Sequence, residues 1–426
     1  MKIKSGQSRV IIENVQPQVD GGLYPAKRTV GEHVLVTADI FGDGHDHIRA
    51  QVFHKRDKDA SWKITEIRPG FNDTWYATFP VNETGTYVFT VKAWMDHLDS
   101  WYDGFKKKAA AKIDVRVELM EGALLLKKLA DKSLSKAIAT IEDVKNYPGA
   151  VEFVQSDEFR QLVHDHPMIE FATELERELV VQVEHKKANF STWYELFPRS
   201  ASLDGKHGTF KDVIKILPRI ASMGFDVLYL PPIHPIGKVN RKGKNNAVRA
   251  NPGEPGSPWA IGNDEGGHKS IHPELGTLDD FKKLMVEARR FGIDLAMDIA
   301  FQCAPDHPYV KEHPEWFRQR PDGTIQYAEN PPKKYQDIYP FNFESENWAG
   351  LWEELKSVFF YWIDEGVRIF RVDNPHTKPI GFWAWVIAEV NKKYSDVIFL
   401  SEAFTRPKVM AALAKVGFTQ SYTYFT

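Results

Sequence analysis

Two apolar runs that each end in a carboxylate constrain this chain more than any other feature. Gly366-Val-Arg-Ile-Phe-Arg-Val-Asp373 closes on Asp373, and Val397-Ile-Phe-Leu-Ser-Glu402 closes on Glu402. Continuous runs rich in β-branched and aromatic residues suit strands of a parallel sheet covered on both faces. A terminal carboxylate puts charge at the C-terminal rim of that sheet, where α/β enzymes assemble their chemistry. A single helical pattern, Pro379 to Lys393, separates the two runs. They form one βα step, and neighbouring parallel strands would hold both carboxyl groups close together. Such a pair can act as nucleophile and general acid on a glycosidic bond.

The same rhythm reaches back to about residue 189. Strands at 193–197, 227–230, 294–299, 367–372 and 397–400 alternate with helices at 210–220, 278–291, 348–364 and 379–393, and Pro218 falls late in the first helix. Val409 to Thr426 supplies a fifth helix and the start of a sixth strand. A (β/α)8 barrel needs eight of each. The expectation is therefore a barrel over 189–426, incomplete at its C-terminus, with an open α/β sheet as the alternative. Residues 303–347 carry no clean periodicity, and an excursion that long inside a compact domain is usually functional.

Residues 10–116 predict a β-sandwich, from short strands such as His33–Ile40, Ile48–Phe53 and Tyr87–Trp94 separated by Gly-, Pro- and Asn-containing turns. Residues 117–178 change to a helical period, including a helical stretch over 156–178 broken near Pro167. Residues 179–188 return to strand and are expected to rejoin the sandwich, which makes the helical unit an insertion.

Charge narrows the partners. The 55 basic and 58 acidic residues leave a net charge of -3, which argues against bulk attraction to nucleic acid or membranes. The single cysteine, Cys303, allows no disulfide within the chain and fits a reducing compartment. The start, Met1 to Ser5, is basic, but no apolar signal region follows and no run approaches a membrane span. A soluble cytoplasmic protein is the expectation. Among the many aromatic residues, Trp94, Trp101, Tyr102, Trp193, Tyr194, Trp259, Trp316 and Trp348 lie near polar residues. Most should pack cores; a few would suit the flat faces of sugars.

Around the carboxylate pair, Asp298 ends the preceding strand and Arg371 lies two residues before Asp373. Strand alternation puts 371 and 373 on one side, so Arg371 can pair with Asp373 and keep it ionised as a nucleophile. Glu402 needs the opposite tuning, a raised pKa from burial or from its acidic neighbours, so that it can donate a proton.

These segments resemble, in order, the strand motifs of the α-amylase superfamily, glycoside hydrolase family 13: Leu230-Pro-Pro-Ile-His-Pro-Ile-Gly237, Asp298-Ile-Ala-Phe-Gln-Cys303, Phe370-Arg-Val-Asp-Asn-Pro-His376 and Phe399-Leu-Ser-Glu402. The resemblance implies Asp373 as nucleophile, Glu402 as general acid/base, and Arg371 and Asp298 as support for the nucleophile. Gln302-Cys303 stands where common members carry Asn-His, and Asn374 follows the nucleophile directly. With Arg241-Lys-Gly-Lys-Asn-Asn246 and Ala328-Glu-Asn-Pro-Pro-Lys-Lys-Tyr335, these variants resemble one branch, the α-1,4-glucan:maltose-1-phosphate maltosyltransferases.

That branch implies retaining transfer of maltosyl units from α-maltose 1-phosphate to the non-reducing end of an α-glucan. It also implies an immunoglobulin-like N-terminal sandwich with an inserted helical domain, and a homodimer. Asn330, Lys333, Tyr335 and Asn374 are the implied phosphate contacts; Lys242 and Gln302 are implied sugar contacts. The branch's third catalytic carboxylate, at the end of a seventh strand, matches no residue here, so the chain by itself is expected to be inactive and poorly folded. His234, His268 and His272 form no metal-ligand spacing and read as loop hydrogen bonders, with His234 a candidate lining residue of the sugar site. No metal or organic cofactor is indicated. The competing readings are another amylase-type hydrolase or transglycosidase, and a non-catalytic glycan-binding protein.

Overall fold

The computed structural model describes residues 6–423, so the basic start read at Met1 to Ser5 and the last three residues of the terminal segment lie outside the described residues. The chain divides into two compact units, 1–82 with 86–182, and 183–426 with 83–85.

The first unit contains two sheets. Val10–Gln16, His33–Gly42, Thr74–Pro80 and Arg68–Pro69 form a four-stranded sheet in that order. A six-stranded sheet includes Ala26–Thr29, Leu179–Glu184, Gly85–Met95, Ile48–Arg56 and Lys63–Glu66 as successive neighbours. Alternation decides what is buried: Val34, Val36, Ala38 and Ile40 point inward from one strand, and Tyr87, Phe89, Val91 and Ala93 from another. Rings from the two sheets meet, with His54 stacked on Phe79 at 4.2 Å and Phe79 against Phe89 at 6.0 Å.

Five α-helices lie between His97 and Asp165 and enclose their own core of Leu98, Phe105, Leu119, Leu126, Val154 and Phe159. The helical pattern starts earlier than the sequence reading placed it. Asp96 caps His97–Ala110 by accepting from the amides of Leu98 and Asp99, and Leu98, Tyr102 and Phe105 recur at helical spacing. At the other end, the helix read over 156–178 stops at Asp165, just before Pro167, and Thr173–Glu174 is strand.

In the second unit six parallel strands lie in sequence order. They are β1 (Trp193–Glu195), β2 (Val227–Leu230), β3 (Asp294–Ile299), β4 (Ile369–Val372), β5 (Ile398–Glu402) and β6 (Gln420–Tyr422). Helices α1 (Phe210–Ser222), α2 (Leu278–Arg290), α3 (Trp348–Asp364), α4 (Ile380–Lys393) and α5 (Pro407–Lys415) connect them. Capping boxes at Thr209/Asp212 and Thr277/Asp280 start α1 and α2, and α1 continues through Pro218. One face of the sheet (Leu228, Leu230, Leu295, Met297, Phe370, Val372, Phe399) packs into the helical core. The opposite face carries Tyr229, Ala296, Ile369 and Ile398. The sheet curls until Gln420 on β6 donates to the carbonyl of Lys187, ahead of β1, at 2.9 Å. Six strands make a curled, incomplete barrel of the amylase type.

Candidate active site

Register builds the site. Asp298 on β3 pairs with Arg371 on β4, Val372 with Ser401 on β5, and Glu402 with Tyr422 on β6. Period-2 alternation then sends Asp298, Arg371, Asp373 and Glu402 into the curl, at the C-terminal ends of adjacent strands.

One guanidinium sits among all three carboxylates. Arg371 Nη1 donates to Asp298 Oδ2 at 2.7 Å and to Asp373 Oδ1 at 3.1 Å, its Nη2 pairs with Glu402 Oε1, and its Nε donates to the Tyr422 hydroxyl at 2.9 Å. The tyrosines Tyr229 and Tyr422 lie 5.6 and 5.9 Å from the guanidinium carbon, close enough to add a cation–π attraction. Tyr229 also donates to Asp298 Oδ2 at 2.5 Å. Beyond β4 the backbone turns sharply. Asn374 is left-handed (φ 40°, ψ 56°), and its N–H donates to Glu402 Oε2 at 3.1 Å. Lys378 spans this turn, donating to the carbonyls of Asp373 at 3.2 Å and Asn374 at 3.3 Å.

The charge balance explains the titration. Burial raises the Glu402 carboxyl; Arg371 opposes that shift and the charge on Asp373 reinforces it. This is the direction expected of a group that must carry a proton. Asp298 is fully buried and its carboxyl rises to about 7, because one arginine shared by three acids does not repay complete desolvation. Burial likewise pushes the Tyr422 phenol up to about 12; Arg371 opposes that shift, and the charges of Glu402 and Asp298 reinforce it. Burial lowers the Lys378 ammonium, while the facing carboxylates of Asp373, Glu402 and Asp298 oppose that shift.

Asp298 yields a testable pH dependence. An unfolded aspartate releases its proton near 3.8, whereas the folded one holds it to about 7. Its stabilising contribution is therefore complete below the lower value and is lost as pH rises to the upper one. Between pH 4 and 7, wild type should lose roughly 3–4 kcal/mol relative to Asp298→Asn. Denaturant titrations of both proteins across that range measure the difference, and parallel curves would refute it.

Asp373 opens onto a cavity of about 760 Å³. Of the residues singled out from sequence, Asp373, Asn374, Gln302, Lys242, Asn330 and Tyr335 line it. Asp298 and Glu402 gather with Asp373 around Arg371, and Asp298, Arg371 and Glu402 do not line that cavity. Lys333 is exposed on the strand Lys333–Tyr335, paired with Asn330, and is not among the lining residues. Lys242 is buried and donates to Gln336 Oε1 at 2.7 Å, and Gln302 is held by the Trp259 carbonyl at 3.2 Å. His234 is buried against the Ser270 carbonyl, away from the lining.

Sequence reasoning assigned no role to Lys378, His376, Asp337, Tyr229 or Tyr422. Alternation along β2 puts Tyr229 on the inner face, a usable signal. Asp337 lies in the aperiodic segment, which offered none. Among the aromatic candidates Trp259 lines the cavity, while Trp94, Tyr102 and Trp316 are core residues.

Residues 8–185 match the domain family described as alpha-1,4-glucan:maltose-1-phosphate maltosyltransferase, domain N/S, and residues 185–365 match the alpha amylase catalytic domain. Two curated relatives, each named alpha-1,4-glucan:maltose-1-phosphate maltosyltransferase, are 51% identical: one from Chlorobaculum tepidum over 428 residues, the other from Methylacidiphilum infernorum over 427. Each alignment covers 99% of this chain and 64% of the relative, so the chain spans about two thirds of their length. Among solved structures, an alpha-amylase from Lactobacillus plantarum is 32% identical, with a TM-score of 0.44 over 55% of this chain and 49% of that one.

Proposed function

Because this chain belongs to the α-1,4-glucan:maltose-1-phosphate maltosyltransferase family, within the α-amylase superfamily, we propose that the whole protein transfers maltosyl units from α-maltose 1-phosphate to α-1,4-glucans and releases phosphate. The observation that carries the reading is a buried carboxylate pair on adjacent strands, clamped by one arginine, beside a cavity lined by Asn330, Tyr335 and Asn374.

In this mechanism Asp373 attacks the anomeric carbon and the C–O bond to phosphate breaks, the electron pair leaving with phosphate. Glu402 can protonate the departing oxygen. The maltosyl–Asp373 ester is then attacked by the 4-hydroxyl of the glucan. Glu402 takes that proton, and two inversions give net retention. Arg371 keeps positive charge beside the nucleophile through both steps. Asn330, Lys333, Tyr335 and Asn374 hold the phosphate, and Lys242 and Gln302 hold the sugar. Phosphate oxygens favour such N–H, ammonium and O–H donors.

The wider architecture follows the same reading. Residues 10–95 with 179–184 form an immunoglobulin-like sandwich, supported by the facing rings of its two sheets. The helical unit, which begins at His97 rather than at 117 and ends its last helix at Asp165, is an insertion, since Leu179–Glu184 returns to the sheet between Ala26–Thr29 and Gly85–Met95. The barrel from 189, with 303–347 as its subdomain, closes to (β/α)8 in the whole protein, which works as a cytoplasmic homodimer. No helix among the described residues is long and apolar enough to cross a membrane.

The phosphate assignment has a direct test. In the whole protein, Asn330→Ala and Lys333→Ala should each lower kcat/KM for α-maltose 1-phosphate about 10–100-fold, the value of a hydrogen bond to a charged group. A neutral maltosyl donor should be little affected. Equal losses with both donors would mean that these residues do not read the phosphate.

A further inference from the structure

Two groups of metal-ligating side chains occur among the described residues, and their hydrogen bonding separates them. In the first, His268, Cys303 and His307 are buried and the ring nitrogens are committed. The Tyr309 N–H donates to His307 Nδ1 at 3.0 Å, His307 Nε2 meets His268 Nδ1 at 3.1 Å, and His268 Nε2 meets the Ala300 carbonyl at 2.9 Å. One neutral tautomer of each ring satisfies that chain, which is complete without an ion.

The second group is His207, His272 and Glu274, and its nitrogens are not so used. Neither ring nitrogen of His207, nor Nδ1 of His272, finds a hydrogen-bond partner among the described residues, although all three atoms are buried. Glu274 Oε2 lies 3.7 Å from His207 Nε2 and 3.6 Å from His272 Nε2, and the three donor atoms fall within 4.8 Å of one another. Tetrahedral zinc, with bonds of about 2.0–2.2 Å, holds its donors roughly 3.3–3.5 Å apart. The spacing from each imidazole to the carboxylate is thus a few tenths of an ångström too long, and the Glu274 side chain, 63% exposed, has room to close it.

We propose that His207, His272 and Glu274 bind one divalent transition-metal ion, of which zinc best fits two imidazoles and a carboxylate, with water completing the shell. The site is distinct from the carboxylate cluster and plays no part in the transfer chemistry. Its position gives it a structural role. His207 stands two residues before Thr209, which caps α1, and His272 opens the turn leading to Thr277, which caps α2. The two helices already touch through Phe210 and Phe281 at 5.4 Å. An ion here ties together the loops after β1 and β2, at the end of the sheet that carries the carboxylates.

The test is zinc titration of the chelator-treated whole protein by calorimetry and thermal melting. One equivalent should bind per chain and raise Tm. His207→Ala and Glu274→Gln should each weaken that binding at least about 100-fold and abolish the Tm increase. Cys303→Ser should leave both intact. Transfer activity in the absence of zinc should be unchanged in the two loop variants, and Glu274→Gln, at a largely exposed position, serves if His207→Ala folds poorly. No uptake, binding that survives both loop substitutions, or binding lost in Cys303→Ser would overturn the assignment. The binding and melting results do not depend on the maltosyltransferase reading.

Discussion

Asp373→Asn should lower maltosyl transfer by about 10⁴-fold or more, the scale on which loss of a covalent nucleophile acts. The substitution keeps the side chain's shape, and Arg371 retains Asp298 and Glu402 as partners, so the variant should fold. What disappears is the charged oxygen that forms the glycosyl ester. The loss should fall on kcat, because the substituted carboxamide still fills the same place in the cavity wall. A variant with more than a few per cent of wild-type turnover would remove Asp373 from the nucleophile's role.

Glu402→Gln should separate the two half-reactions. Phosphate is a stable anion with a second pKa near 6, so its departure needs little protonation. The 4-hydroxyl of the acceptor, by contrast, attacks well only when a base takes its proton. The variant should therefore release about one phosphate per active site and then stall, with steady-state turnover down by about 10²–10⁴-fold. Mass spectrometry of the acid-quenched protein should find one maltosyl group on Asp373. Azide, which needs no base, should restart turnover. The geometry favours a clean result, since the carboxamide oxygen of the variant can still accept from the Asn374 N–H. Wild-type steady-state rates, or a stall before any phosphate appears, would contradict the assigned role.

Much of this was legible because strand alternation and βα spacing are strong local signals. Asp373 and Glu402 end apolar runs, Asp298 and Arg371 lie within two residues of such ends, and the register of three adjacent strands gathers them. What the sequence hid are relations that only the backbone path creates. Lys378 bridges two carbonyls because Asn374 turns left-handed, a conformation that asparagine permits but does not announce. Tyr422 meets Arg371 only through the pairing of β5 with β6. His207 and His272 are far apart in sequence and meet at the starts of two packed helices. Helix His97–Ala110 escaped because it follows directly on the strand Gly85–Met95 and falls with it inside the segment that reads as sandwich.

That these carboxylates move a maltosyl unit from phosphate to glucan is tested most directly by supplying the whole protein with α-maltose 1-phosphate and maltohexaose. Inorganic phosphate and product lengths are measured in the same reaction. One phosphate should appear for each addition of two glucose units, with new linkages in the α configuration. Phosphate released with free maltose and no longer glucan, or glucans rearranged without phosphate release, would contradict the assignment.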